Sequence, residues 1–559
     1  MASSAKPETY IDEETGLDHE NSGTQEKPYK TVQYAYIQKN GEASFFTRDP
    51  ESPPEEGVKW KPAAKAALKK AANYADAQRK KAGKANELAI REKQEQESRE
   101  KALEEAKKIV IKDDPSLPAA HKIQLAEEIQ LDPTPRVQVI GRVMRQAKQK
   151  NMLFVRLRDG TGYMQCLLAG DLANTYHAQT LTLESSILIK GQLKAVPSDH
   201  DAPMDRELHA DYFEIIGKAP GGEDAITNKV QMNGDAQTLL DMRHLALRNE
   251  AISSVLYVRQ AVEHAFATKY WELDFVKVSP PALVQTQVEG GSTLFEFDYY
   301  NEKAYLTQSS QLYLETAIPS FGNVYCIEKS FRAEKSLTRR HLSEYTHIEG
   351  ELDFITFDDL LTHLEDLMCG VLSIVLAHPR TASMIKKLNP DFTMPERPFM
   401  RMKYSDAIQW LNKHDIKNED DQPHVFGDDI AEAAERKMTD IINKPIFLTH
   451  FPTEIKAFYM QKDPQDPRVT ESVDCLMPGV GEIIGGSMRM DNYEELMEAY
   501  TRNGIPSEPY YWYTDLRRYG TSPHGGYGLG LERFLAWLCK QHTVRDTCLF
   551  PRYMGRCKP

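Results

Sequence analysis

The chain has 559 residues, 41% hydrophobic and 27% charged, with 69 Lys and Arg against 83 Asp and Glu for a formal net charge of -14. That length is too great for one core and predicts two to four domains in a mostly globular, soluble protein. No run of eighteen or more apolar residues is present, and the opening MASSAKPETYIDEETG lacks a signal peptide's apolar stretch, so neither a membrane partner nor secretion is expected. The seven cysteines form no C-x-x-C pair, which argues against zinc and disulfides and for a reducing cytosol.

Residues 1–27 are acidic and polar and read as a disordered tail. Residues 28–110 read as a small appended module. Within it, TVQYAYI and ASFFTRD alternate in polarity around Lys39-Asn40-Gly41, and Asn-Gly between such segments is a hairpin signal. Residues 59–108 are rich in Ala, Lys, Glu and Gln and predict a helix. Its first half carries Lys59, Lys61, Lys65, Lys69, Lys70, Arg79, Lys80, Lys81 and Lys84 against Asp76 alone. The second half mixes signs, with i,i+4 pairs such as Glu97 and Lys101. Such a segment is either a solvated helix or a basic arm for RNA, and the overall acidity does not decide, because the basic residues are unevenly spread.

Residues 111–133 read as a linker. From 134 to 218 short β-type segments recur (VQVIGRV, MLFVRLRD, YMQCLLA, SSILIKGQL, DYFEIIG), separated by turns such as Asp159-Gly160-Thr161-Gly162. Five strands in so short a span predict a small β-barrel of the OB type. Residues 219–237 read as a hinge linker, and 238–559 alternates helical and strand patterns, enough for one large α+β domain.

Three segments of that domain carry chemistry. The first is a helical stretch, Asn249 to Tyr270, then Phe275-Val276-Lys277-Val278 and a stop at Ser279-Pro280-Pro281. The second holds Phe331-Arg332-Ala333-Glu334, Thr338-Arg339-Arg340-His341-Leu342 and Glu344-Tyr345-Thr346, a strand–loop–strand whose arginines offer planar donors to phosphate or carboxylate. A surface ion-pair hairpin would show the same composition. The third is Gly526-Tyr527-Gly528-Leu529-Gly530-Leu531-Glu532-Arg533, where closely spaced glycines let backbone approach a ligand, or simply pack strand on helix. It is not the dinucleotide fingerprint, whose third glycine falls elsewhere.

In order, these segments resemble motifs 1, 2 and 3 of the class II aminoacyl-tRNA synthetases, and the barrel resembles the anticodon-binding domain of the aspartyl, asparaginyl and lysyl subgroup. The resemblance covers roughly residues 134–559; residues 1–110 are similar only to the lysine-rich extensions of eukaryotic members. The fold class implied is α+β: a catalytic domain built on an antiparallel sheet with helices, preceded by the OB barrel and the extension. The activity implied is attack of an amino acid's carboxylate on the α-phosphate of ATP, release of pyrophosphate, and transfer of the acyl group to tRNA, in the cytoplasm and without a DNA partner. Both steps need positioning and charge stabilisation more than an acid or base.

By the same resemblance Arg332, Glu334 and Arg533 are the catalytic set. Arg332 bridges the α-phosphate and the substrate carboxylate, and Glu334 reads the adenine amino group. Arg340, His341 and Leu342 follow in the ATP loop, with His341 near the γ-phosphate. Tyr345 and Arg533 sandwich the adenine, next to Gly530. Asp474 and Glu482 match the acidic pair that holds Mg²⁺, with one more residue between them than the family usually has. Pro281 matches the motif 1 proline of a two-fold homodimer interface.

The amino acid must be read from the side-chain pocket. Aspartyl enzymes carry a lysine in Gln-Ser-Pro-Gln-x-x-Lys; here the segment is Gln308-Ser309-Ser310-Gln311-Leu312-Tyr313-Leu314, with Leu314 at the lysine's place. An aspartate side chain would lose its cation. Arg489, in Gly485-Gly486-Ser487-Met488-Arg489, remains to donate to a carbonyl, and Glu349 stands to accept from an amide. One donor and one acceptor imply L-asparagine, with Gln308, Gln311 and Ser487 nearby. Glu289 in the Gln287-Val288-Glu289-Gly290-Gly291 loop would bind the α-amino group together with Gln308, the glycines serving as hinge. Leu314 as a plain core leucine is the alternative, and with it an aspartyl or relaxed enzyme; a synthetase-like regulator would require broken motifs. In the barrel, Phe154 and Gln165 match residues that stack on and hydrogen-bond the anticodon's central uridine, a base shared by the asparagine and aspartate anticodons, so that tRNA(Asn) as the partner follows from the pocket and not from the barrel.

Overall fold

The structure, a computed structural model, describes residues 6–50, 58–131, 133–196, 202–231, 234–288, 294–335 and 338–559. It divides into two compact units, Met1–Ala225 and Ile226–Pro559.

In the first unit the acidic start is not a disordered tail. Strand β1 (Glu8–Ile11) runs parallel to β2 (Ser44–Arg48), whose other edge takes β3 (Trp60–Pro62) antiparallel. Ile11, Tyr29, Ala35 and Phe45 form a small core beneath them. Asp12 is nearly buried and accepts from the Glu14 amide at 3.0 Å and from Arg48 at 3.2 Å. Its charge therefore closes a turn where composition alone predicted solvation.

The expected hairpin at Asn40-Gly41 is also corrected. TVQYAYI contributes a helix, Val32–Gln38, with the Thr31 hydroxyl accepting from the Tyr34 amide as N-cap. Asn40 (φ 50°) and Gly41 (φ 74°) then end that helix in the left-handed region. A helix stop and a tight hairpin both need positive φ, so the dipeptide fits either. The Lys-rich helix forms as expected, over Lys65–Ala106.

The segment 111–133 is more than a linker. Strand β4 (His121–Lys122) lies parallel to β5 (Arg136–Gln149), and Ile123 and Leu125 are buried in the barrel core. The Leu125 amide donates to Asp159 at 2.9 Å, tying the segment to the Asp159 turn. The barrel proper is β5, β6 (Met152–Arg158), β7 (Tyr163–Ala169), β8 (Ser186–Ala195) and β9 (Arg206–Gly217), and β5 closes it by pairing with both β6 and β8. Alternate residues such as Leu153, Val155 and Leu157 fill the interior, the period-2 signature of strands with one apolar face.

The second unit is built on a mostly antiparallel eight-stranded sheet of β10 (Val276–Lys277), β14 (Val324–Phe331), β15 (Glu344–Asp353), β20 (His524–Gly530), β19 (Gly481–Met488), β18 (Ser472–Met477), β17 (Ile446–Thr449) and β16 (Met400–Lys403), in that order. Only the outer pairs β10–β14 and β16–β17 are parallel. A small sheet of β11 (Leu283–Val284), β13 (Glu302–Leu306) and β12 (Glu296–Tyr299) stands apart. Helices Glu250–Glu272, Phe357–Ala377 and Leu531–Leu538 cover one face of the main sheet. Phe357–Ala377 is long and apolar enough, by composition, to cross a membrane; here Leu360, Leu364, Leu367 and Val371 are spent on the core. Even-numbered residues of β15, such as Ile348 and Leu352, point into that core. Odd-numbered ones point to the opposite face, where the cavity lies.

Candidate active site

A cavity of 680 Å³ opens on the sheet's other face, within the usual range for small-molecule sites. Its floor is β15 with its antiparallel neighbour β20. His347, Glu349 and Glu351 project from β15, and in register with them β20 offers Gly530, Gly528 and Gly526. A β-carbon on Gly526 would lie 2.2 Å from the Glu351 carboxyl, and one on Gly528 would lie 2.2 Å from His347 Nε2. The repeated glycines thus clear room for polar side chains of the neighbouring strand, a use that neither sequence reading of them anticipated.

At one end of the floor Glu349 is almost fully buried. It accepts from the Ser310 amide at 2.9 Å and from the Ser309 hydroxyl. Beside it lies Arg489, whose Nε donates to Glu351 at 3.1 Å and Nη1 to Ser487 Oγ at 2.7 Å. Behind Arg489, Glu315 is fully buried between Arg517 at 2.6 Å and His524 at 3.0 Å, and accepts from Gln311 Nε2 at 3.1 Å. Burial raises the Glu351 carboxyl against the pull of Arg489. Burial also works against Glu315, but Arg517 and His524 outweigh it and hold that carboxyl low. The arginine is therefore clamped from behind, its orientation fixed before any ligand arrives.

At the other end Arg332 and Glu334 lie just beyond β14, 4.0 Å apart, and the Arg332 guanidinium sits 5.5 Å from the centre of the Tyr345 ring. Arg340 is buried, and its Nη2 donates to the Glu482 carbonyl at 3.2 Å. His341 lies 3.7 Å from Glu334; burial lowers its pKa, and Arg533 adds to the effect. Arg533 binds the Glu482 carboxylate at 2.9 Å. Asp474 faces Glu482 across Gly485, where an added β-carbon would be 3.2 Å from Glu482 Oε1 and 3.6 Å from Asp474 Oδ1. Burial raises the Asp474 carboxyl, with Glu482 contributing, while Arg533, Lys456 and Arg340 hold Glu482 low despite its burial. Glu435 is pushed up to about 8 by burial and by Glu482 and Asp474. Such mutual repulsion is what a divalent cation relieves.

Most expected residues thus meet on one wall system, including Leu342, Gln311 and Gly530. Three asparagine-site candidates do not line the cavity among the described residues. Leu314 turns from the helix Gln311–Phe321 into an apolar cluster with Ile318, Val324 and Cys326, the core leucine of the alternative reading. The Gln308 side-chain oxygen accepts from the Val288 amide at 3.2 Å, and Ser487 stands behind Arg489. Glu289 lies outside the described residues. Residues missed by sequence reasoning include Lys456, which pairs with Asp474 at 3.0 Å, and Tyr459, whose ring lies 5.4 Å from the Arg489 guanidinium. Glu351 carried a signal, being two residues past Glu349 on the same strand face. Lys456 carried none.

In the barrel, Phe154 alternates with buried Leu153 and Val155 and so faces outward, away from the core. Gln165 shares that face, pairs across with Arg156, and donates to Glu207 at 2.7 Å.

Comparison with known proteins fits this geometry. Residues 235–554 match a family described as tRNA synthetases class II (D, K and N), 24–118 match "Asparaginal-tRNA synthetase, N-terminal domain", and 137–216 match an OB-fold nucleic acid binding domain. The chain is 52% identical over 559 residues to the cytoplasmic asparagine–tRNA ligase of Saccharomyces cerevisiae, covering 98% of this chain and 99% of that protein. It is 49% identical over 554 residues to the one of Homo sapiens, covering 99% of each. Among solved structures, Entamoeba histolytica asparaginyl-tRNA synthetase in complex with asparaginyl-adenylate superposes with a TM-score of 0.75 at 44% identity, over 79% of this chain and 100% of that one. The Pyrococcus horikoshii enzyme with the same adenylate gives 0.71 at 36%, over 76% and 96%.

Proposed function

This chain belongs to the class II tRNA synthetases of the D, K and N group, in the asparagine branch, and on that premise we propose how its cavity does the chemistry. The reaction is activation of L-asparagine by ATP, with release of pyrophosphate, and transfer of the acyl group to the 3′ end of tRNA(Asn) in the cytoplasm. The observation that carries our assignment of the amino-acid end is the buried Glu349 carboxylate beside the clamped Arg489 guanidinium. A carboxamide presents a donor to the first and an acceptor to the second. A carboxylate side chain would face Glu349 with like charge, and Leu314 brings no cation to offset it. Discrimination of this kind, built on buried polar groups that only one ligand satisfies, is the strong kind.

Arg332 then spans the substrate carboxylate and the α-phosphate, holding nucleophile and electrophile in line while its charge offsets that developing on phosphorus. Glu334 accepts from the adenine amino group, and Tyr345 and Arg533 take the two faces of the ring. Arg340 and His341 lie along the polyphosphate. Asp474 and Glu482 fit Mg²⁺: they converge on one glycine, and an ion of this kind is held by one or two carboxylates plus phosphate oxygens. When bound it neutralises charge on the departing pyrophosphate. Phe154 and Gln165 read the anticodon, supported by their outward-facing positions on the barrel. Pro281 belongs to a homodimer interface, supported by its exposure on the loop after edge strand β10 and by the exposed Trp271, Phe321 and Phe354; sedimentation at the 63.7 kDa of a single chain would remove it.

The test is ATP–pyrophosphate exchange with asparagine and aspartate in parallel. Exchange with asparagine is expected to exceed that with aspartate by at least about a thousandfold. Exchange with aspartate alone would overturn the pocket assignment.

A further inference from the structure

Arg340 already has carboxylate partners at the end of the cavity assigned to phosphate. Its Nη1 lies 3.3 Å from Glu432 and 3.9 Å from Glu435, both in the first turn of the helix Glu432–Ile442. That helix is fixed by Ala434 and Met438 in an apolar cluster with Ile446 and Leu448 of β17 and Leu476 of β18, so its two carboxyl groups are delivered by rigid structure. Gly481, at φ +82°, makes the approach possible: a β-carbon there would stand 2.9 Å from Arg340 Nη1 and 2.9 Å from Glu435 Oε1. Arg340's side chain is 7% exposed, Glu435's 13% and Glu432's 33%. Of the two carboxylates, Glu432 is the closer to Arg340 and the one that water can take back.

We propose that Glu432 is a positioning residue that competes with the polyphosphate: it holds Arg340 in the nucleotide-free chain, yields it when ATP enters, and reclaims it as pyrophosphate leaves. A guanidinium fork fits carboxylate and phosphate with the same geometry, so exchange needs no rearrangement of Arg340 itself. The ion pair broken on entry weakens ATP binding, and its re-formation aids product release. The inference rests on the reading of Arg340 as a phosphate ligand, and the experiment separates the two.

In ATP–pyrophosphate exchange on the full chain, E432Q is expected to lower the KM for ATP about fivefold, the worth of a partly exposed ion pair. KM for asparagine should stay unchanged, and pyrophosphate should become a correspondingly stronger product inhibitor. E432A should move KM the same way. A KM for ATP that is unchanged or raised in both variants overturns the proposal, since a merely structural role predicts one of those results. In an R340Q background E432Q should have no further effect, and a persisting shift would show that Glu432 does not act through Arg340. R340Q by itself should raise the KM for ATP about tenfold or more. If it does not, the phosphate reading of Arg340 fails, independently of what E432Q does in the wild-type background.

Discussion

The side chain at position 363 shows how burial, helped by Lys269 and opposed by Asp366, sets a pH response. His363 is packed against Phe275, ring centroids 5.2 Å apart, with Nε2 3.0 Å from the Tyr527 hydroxyl, which in turn meets Tyr270 at 2.8 Å. Burial lowers its pKa from 6.5 to about 4. A depressed histidine is neutral in the folded chain where the unfolded chain already binds a proton, so stability is lost as pH falls from about 6.5 toward 4. The loss approaches about 3 kcal/mol at the low end. Urea unfolding across that window should show it in the wild type and not in H363Q, and identical pH slopes would contradict the assignment. Leu314 teaches a different lesson at this scale. The segment Gln308-Ser309-Ser310-Gln311-Leu312-Tyr313-Leu314 shows that no lysine stands there, but not where the side chain goes: a helix position three residues past Gln311 turns toward the sheet and packs Leu314 in an apolar cluster.

Among the elements, strand β20 does most to shape the site, through the side chains it lacks. Gly526→Ala would place a β-carbon 2.2 Å from the Glu351 carboxyl, and the carboxyl is what fixes Arg489. The variant should raise the KM for asparagine about tenfold or more, with a smaller change for ATP, because displacing an orienting group by an ångström is costly. Steady-state exchange kinetics would check this; equal loss for both substrates would mean that the strand, not Arg489, had moved. The helices and strands themselves were largely legible: the barrel strands from period-2 alternation, and Glu250–Glu272 from its apolar spacing. TVQYAYI was not, since seven residues of mixed pattern fit either period, and the Thr31 cap and packing under β2 decided it.

For the whole molecule, the appended module is the part whose role chemistry constrains least. Its Lys65–Ala106 helix carries the basic residues Lys65 to Lys84 on an exposed surface. We propose that removing residues 1–110 weakens tRNA affinity about tenfold at low salt and flattens its salt dependence. Asparagine activation without tRNA should be unchanged, because the cavity is lined wholly by the Ile226–Pro559 unit. Equal tRNA affinity with and without the module, measured by filter binding across a salt series, would count against it. The module's own fold makes this a clean excision only past the strand pairs β1–β2 and β2–β3.

The sequence by itself determined the three ordered motifs and the barrel, and the resemblance they carry named Arg332, Glu334, Glu349, Arg489 and Arg533, which line one cavity; spacing along a strand fixes only which of that strand's own side chains share a face, as for Glu349 and Glu351. Tertiary structure alone decided the rest. Lys456 beside Asp474, Glu432 and Glu435 beside Arg340, and Glu315 and Arg517 behind Arg489 are joined across chain separations that no local period records. It also decided that the acidic start folds, that 111–133 completes the barrel, and that Leu314 lies in the core. Each of these depends on what a residue packs against rather than on what surrounds it in the chain, and burial, not composition, sets the energy of a charge.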